Sequence, residues 1–173
     1  MLLDRRRFLV GGAASTLLLA CQRSSPSGKA ATIREIDHVV RAQASQDGAG
    51  VALRRSLGSG VLPSLDPFLL LDEIHSTDPA DYTAGFPQHP HRGFETVSYV
   101  LKGGFSHKDS VGNHGLIADG GAQWMTAGHG ILHEEMPTPT TTSELWGLQL
   151  WVNLPAARKM IRPRYQDLGA SQV

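Results

Sequence analysis

From Trp146 to Asn153 the chain alternates without a break. Trp146, Leu148, Leu150 and Val152 fall on one side, and Gly147, Gln149, Trp151 and Asn153 on the other. A repeat of two is that of an extended strand, whose successive side chains point to opposite faces. The same texture recurs along the chain. Phe94 to Lys102 (FETVSYVLK) is rich in β-branched and aromatic residues and ends on Gly103-Gly104, a hairpin signal. Ser106 to Asp109 reads as its return strand. Gly120-Gly121 turns into Ala122 to Thr126, and Ile131 to Met136 forms another strand. Pro67 to Leu71 (PFLLL), set between Asp66 and Asp72, fits a short buried strand. Ile33 to Ile36 and Val51 to Arg54 are expected as strands, and Asp78-Pro79-Ala80-Asp81 as a loop. Helical periodicity is almost absent. Many short strands joined by Gly-rich turns predict an all-β sandwich or barrel in a single domain.

Two short stretches inside this pattern carry chemistry. His89-Pro90-His91 and His133-Glu134-Glu135 each place two metal-ligating groups at i and i+2. On a strand those positions share a face. If the two strands face each other across a small barrel, three imidazoles and one carboxylate converge. That set suits a divalent first-row metal such as iron and leaves coordination positions open. Glu134 then faces away, as a solvated carboxylate. Glu95 lies four residues past His91, and strand alternation puts it on the ligand face. His107 and His114 fall on a hairpin and its loop and read as surface or hydrogen-bonding histidines. His129, between Gly128 and Gly130, reads as a turn residue or a pocket-lining group. His38 and His75 show no partner pattern. Trp124 and Met125 fit a barrel wall, Phe94 and Met136 fit the core, and Phe94, Trp124 and Met125 suggest an apolar pocket.

The N-terminus reads as an address label. Arg5 and Arg6 form a twin-arginine pair within Asp4-Arg5-Arg6-Arg7-Phe8-Leu9, and the apolar run Val10 to Ala20 follows. That run is too short to span a bilayer as a helix, which needs about 20 residues. A general secretory signal or a plain N-terminal anchor is the alternative. Leu18-Leu19-Ala20-Cys21 resembles a bacterial lipobox, in which Cys21 is acylated. Residues 1–21 are thus expected to be signal and lipobox, and 22–31 a flexible tether. These features predict an exported bacterial protein, either periplasmic or a membrane-anchored lipoprotein, with a lipid anchor as its sole membrane contact. Cys21 is the only cysteine, so the folded part can build neither a disulfide nor a thiolate metal site. Without residues 1–20, roughly 150 remain, the size of one ordinary domain. Sixteen basic residues balance sixteen acidic ones. Three of the basic ones are Arg5, Arg6 and Arg7, so the mature part is mildly acidic and has no basic block. That argues against nucleic acid as a partner.

Several segments also resemble one known family. Phe86 to Val97 (FPQHPHRGFETV) is similar to the signature of the pirins, part of the cupin superfamily. So are Gln123 to Gly128 (QWMTAG), Gly130 to Pro137 (GILHEEMP), Leu148 to Pro155 (LQLWVNLP) and Pro163 to Asp167 (PRYQD). The resemblance implies a cupin-type double-stranded β-helix, a jelly-roll-like barrel, over residues 32–168, with 169–173 as a C-terminal tail. It implies a non-haem iron site with His89, His91, His133 and Glu135 as ligands. For some bacterial members it implies oxidative ring opening of quercetin by O2. Other members are described as redox-sensitive partners of transcription regulators. Pirins usually have two cupin domains, whereas this sequence stops just after the segment that resembles the inter-domain link. A one-domain member or a fragment is expected, and an exposed apolar face would favour a homodimer. The export signal sits poorly with a cytosolic or nuclear regulatory role.

Two readings follow. In the first, the protein is a dioxygenase with one divalent metal ion, Fe(II), acting on a small aromatic substrate and O2. The metal acts as Lewis acid and template. Glu135, or Glu95 if it is not itself a ligand as in many cupins, is the base. In the second, it is a non-catalytic metal-binding or redox-sensing module, or a truncated remnant. A sugar isomerase on the same fold is a third reading and would require a polar pocket.

Overall fold

Eleven strands and two short 3-10 turns make up the regular structure of this computed structural model, in which residues 35–138 and 143–173 are described. Arg5, Arg6, Cys21 and the expected tether 22–31 lie outside the described residues. The strands are β1 (Gln43–Asp47), β2 (Val51–Leu57), β3 (Phe68–Ser76), β4 (Phe86–His91), β5 (Phe94–Lys102) and β6 (Gly104–Asp109). They continue with β7 (His114–Ala118), β8 (Ala122–Thr126), β9 (Ile131–Pro137), β10 (Leu145–Asn153) and β11 (Arg164–Leu168). They form two antiparallel sheets. The larger runs β1-β2-β3-β10-β5-β8-β11 and the smaller β4-β9-β6-β7. This is the all-β, cupin-type arrangement expected.

The expected strands at Phe94 to Lys102 and Ala122 to Thr126 match β5 and β8. The PFLLL run is the start of a longer strand, β3. The loop at Asp78 to Asp81 holds a 3-10 turn, Pro79–Asp81, in which the Ala80 N–H donates to the Asp78 side chain. The strand expected at Ile33 to Ile36 is not seen at Glu35 and Ile36, and Ile33 lies outside the described residues. Strands β1, β7 and β11 have no clear alternation and were not foreseen.

The core lies between the inner faces of the sheets. Val51 and Leu53 of β2, Ile74 of β3, Val100 of β5, Phe105 of β6, Ile117 of β7 and Leu145 of β10 form its main cluster. Met125, Ala127 and Ile131 form a second. Strand β10 inverts the simple reading of its pattern. Its smaller and more polar phase, with Gly147 and Gln149, faces inward together with Trp151, while Leu148 is 37 % exposed on the outer face.

At the corner between β4 and β5 the chain passes from the smaller sheet to the larger. Gly93 takes φ 80° there, and its N–H donates to the Gly128 carbonyl at 2.8 Å. Gly128 is itself at φ 53°, and a Cβ on it would overlap the Ile161 carbonyl. Both positions need glycine.

Candidate metal centre

Strand β4 is the edge of the smaller sheet, and its sequence suits that place. Pro87 and Pro90 have no N–H to give to a neighbouring strand. Its partner is β9, and the pairing sets His89 directly opposite His133 and His91 opposite Ile131. The ligand pairs therefore share the inner face. One ring nitrogen each from His89, His91 and His133 lies within 4.8 Å of the others. His89 Nε2 and His91 Nε2 are 3.1 Å apart. Two ligands at a right angle on a metal with bonds of about 2.1 Å would sit about 3 Å apart.

The hydrogen positions point the same way. His89 donates its Nδ1–H to the Pro87 carbonyl at 2.8 Å, which leaves Nε2 as a bare lone pair in the neutral ring. That lone pair faces His91 Nε2, which either donates a hydrogen to it or, in the other tautomer, shares a cation with it. His133 Nε2 is buried with no hydrogen-bond partner, a costly state for a polar atom unless something binds it. Burial, together with the neighbouring His89, pushes His91 down to about 4. Burial and the charges of His91, His89 and His107 push His133 down to about 2. Both rings therefore offer unprotonated nitrogens at neutral pH, as metal ligation requires. The donor set fits a divalent cation.

Glu135 is 4 % exposed on the same inner face. Its carboxylate is not grouped with the three imidazoles. Gln149 Nε2 donates to its Oε2 at 2.8 Å and its Oε1 at 3.1 Å, and Ser98 Oγ donates to Oε1 at 3.2 Å. Trp151 Nε1 donates to Gln149 Oε1 at 2.9 Å, which fixes the amide from its other end. Gln149 lies within the pirin-like segment Leu148 to Pro155, but neither that segment nor the alternation of β10 marks it as a partner of Glu135.

Glu95 requires a correction. It was expected on the ligand face, but it points to the outer face of the larger sheet, beside Trp124, Arg164 and Gln166. Thr126 Oγ1 donates to it at 2.7 Å. The corner at Gly93 breaks the alternation counted from His91, so on β5 it is Thr96 and Ser98 that face inward. Trp124 is likewise 43 % exposed and lines no inner wall, whereas Met125 is in the core. Phe94 stacks on Trp151, with centroids 4.5 Å apart, and meets the His91 ring edge-on.

A cavity of about 410 Å³ opens between the sheets against this site. Leu53, Ile74, Phe86 and Trp151 give it apolar walls, and His89, His91 and Glu135 give it a polar one. Its size and lining suit a small, largely apolar molecule. At its rim Arg55 makes a two-pronged pair with buried Asp72, both contacts 2.7 Å, and a third contact of 2.8 Å to Asp47. Among the remaining histidines, His107 is fully buried behind His133, while His114 and His129 are exposed and away from the cluster. His75 pairs with Glu144 and stacks on Trp146.

The family model described as Pirin matches residues 50–152. A pirin-like protein of Caulobacter vibrioides is 48 % identical over 141 residues, which is 82 % of this chain and 51 % of the relative. A quercetin 2,3-dioxygenase of Acinetobacter baumannii, solved as a crystal structure, has 38 % identity and a TM-score of 0.66, covering 76 % of this chain and 48 % of the other. A bacterial pirin of Escherichia coli in complex with nickel(II) has 27 % identity and a TM-score of 0.53, covering 75 % and 56 %. The chain spans about half the length of the curated relatives it matches.

Proposed function

The chain belongs to the pirin family, and on that premise we propose that it is a metal-dependent dioxygenase acting on quercetin or a similar small aromatic with O2. One observation carries the reading: three imidazoles bring one ring nitrogen each within 4.8 Å of one another, and two of them, His89 and His91, line a largely apolar cavity of suitable size. The likeness to the Acinetobacter baumannii quercetin 2,3-dioxygenase supports the substrate class. His89, His91 and His133 would hold the metal, with Glu135 as fourth ligand or as the base beside it. A divalent ion, Fe(II) in this reading, supplies Lewis acidity toward a substrate oxygen and a template for O2. The chain's own residues do the rest. Leu53, Ile74 and Phe86 exclude water and receive the aromatic rings, and Trp151 offers them a flat face. Glu135 takes the proton of a phenolic hydroxyl. Gln149 and Ser98 hold its two oxygens, so the carboxylate meets the substrate in a fixed orientation.

The same hydrogen bonds also favour a second reading. Both oxygens of Glu135 are engaged by protein donors rather than joined to the imidazole group, as suits a metal-binding module without turnover. Oxygen uptake separates the two. Metal-loaded full-length protein is expected to consume O2 with quercetin, and Glu135→Gln to abolish that uptake. A folded, metal-loaded protein that consumes none with any flavonol leaves the non-catalytic module as the better account.

We further propose export by the twin-arginine route with anchoring at Cys21. Replacing Arg5 and Arg6 by lysine is then expected to hold the protein in the cytoplasm, and Cys21→Ala to release it from the membrane fraction. Normal export of the double-lysine variant would point to the general secretory route.

A further inference from the structure

Directly behind the three-histidine cluster lies a second set of buried polar groups that the proposed reaction does not use. His107 and Asp109 stand at i and i+2 on β6, the strand on the other side of β9 from β4. The pairing puts His107 opposite Glu135 and Asp109 opposite His133. Both side chains are completely enclosed. His107 Nε2 lies 3.2 Å from Asp109 Oδ2, and His107 Nδ1 lies 3.4 Å from His133 Nδ1.

These contacts fix where the hydrogens sit. A carboxylate only accepts, so His107 Nε2 carries a hydrogen and donates it to Asp109. In the neutral ring Nδ1 of His107 is then bare, and the hydrogen between the two rings belongs to His133 Nδ1. That leaves His133 Nε2 as a lone pair, and this is the buried atom that has no partner. The opposite arrangement, with His107 donating to His133 Nδ1, would put an N–H on His133 Nε2 where no acceptor stands. Only the first arrangement is consistent with the rest of the site.

The lever is itself held rigidly. Asp109 accepts from the backbone N–H groups of Val111 and Asn113 and from Asn113 Nδ2, at 2.8 to 3.0 Å. Tyr165 stacks on the His107 ring with centroids 4.5 Å apart, and its hydroxyl donates to Asp167 at 2.5 Å. His89, by contrast, relies on a carbonyl of its own strand.

We propose that His107, backed by Asp109, is a positioning residue that fixes the ring angle and tautomer of His133 and thereby sets the affinity of the site for its metal. This rests on the reading of His89, His91 and His133 as metal ligands. Partners of this kind typically change metal affinity by about 10- to 100-fold when removed.

The test uses the full chain with Ni(II) for affinity and Co(II) for its visible spectrum. His107→Phe is expected to bind Ni(II) about 10- to 100-fold more weakly than the parent and to shift the Co(II) bands. His107→Gln, whose amide can donate to Asp109 and accept from His133, is expected to recover most of both. Nitrogen-15 spectra of the metal-free parent give an answer that needs no variant: His133 is expected to carry its hydrogen on Nδ1. A hydrogen on Nε2 overturns the proposal, as does a His107→Phe protein with parental Ni(II) affinity and an unchanged Co(II) spectrum. A parent chain that binds neither metal overturns the three-histidine reading and the proposal with it.

Discussion

The two neighbouring strands that carry the candidate metal ligands hold them in opposite ways. Strand β4 is an edge, with β9 as its partner, and His89 is half-buried and steadied by the carbonyl of Pro87 two residues away. Strand β9 is interior, flanked by β4 and β6. Its His133 is 1 % exposed and backed by His107 and Asp109, and its Glu135 is gripped from the opposite sheet by Gln149 and Ser98. One half of the site is thus set by tertiary structure and the other by local structure. The interior half sets where a metal would sit, and the edge half places the half-buried His89 nearer to solvent.

The largest test of that contrast is chemical rescue. His89→Gly and His133→Gly are each expected to weaken metal binding by more than the roughly 100-fold that loss of a supporting group can cost. Added imidazole should restore the His89→Gly site to within about tenfold of the parent, because that position opens to solvent. It should restore His133→Gly little, since no path leads to a ring enclosed on every side. Equal rescue of both, followed by metal titration, would break the distinction.

Acid stability is the next effect. His91 and His133 are held unprotonated in the fold, at about 4 and about 2, against 6.5 when unfolded. Below pH 6.5 the unfolded chain therefore binds more protons than the folded one. Stability of the metal-free protein should be complete above pH 6.5 and fall as the pH drops toward 4 and below. The slope should reach up to about 1.4 kcal/mol per pH unit for each ring. Denaturant unfolding across this range checks it. A His133→Phe variant should show a shallower slope than the parent. The smallest effect lies in the backbone. Amide hydrogens of β4 should exchange roughly tenfold or more faster than those of β9, because an edge strand opens more easily.

Much of this was legible in the sequence for physical reasons that are easy to name. Strong alternation and Gly-Gly turns gave β5, β8 and β10, and the i, i+2 spacing put His89 with His91 and His133 with Glu135, each pair on one face. The two strands were expected to face each other across a barrel, but β4 and β9 are neighbours in one sheet, a pairing that spacing alone does not encode. What failed were inferences carried across a corner. Counting from His91 to Glu95 assumed one continuous strand, but Gly93 turns the chain into the other sheet and reverses the phase. Trp124 and Met125 both fit a barrel wall by composition, yet only the Met125 side of β8 faces inward. The role of Gln149 depends on which phase of β10 turns inward, and that is decided by both sheets together. His107 and Asp109 show the same i, i+2 spacing as the candidate ligand pairs, but a histidine on a hairpin is usually exposed, and only the pairing of β6 with β9 buries this one.

Metal titration of the full chain beside His133→Ala tests the central claim most directly. The account predicts one divalent ion per parent chain, held by His89, His91 and His133, and none retained by the variant under the same conditions. Equal metal content in the two proteins would contradict it and place any bound ion elsewhere.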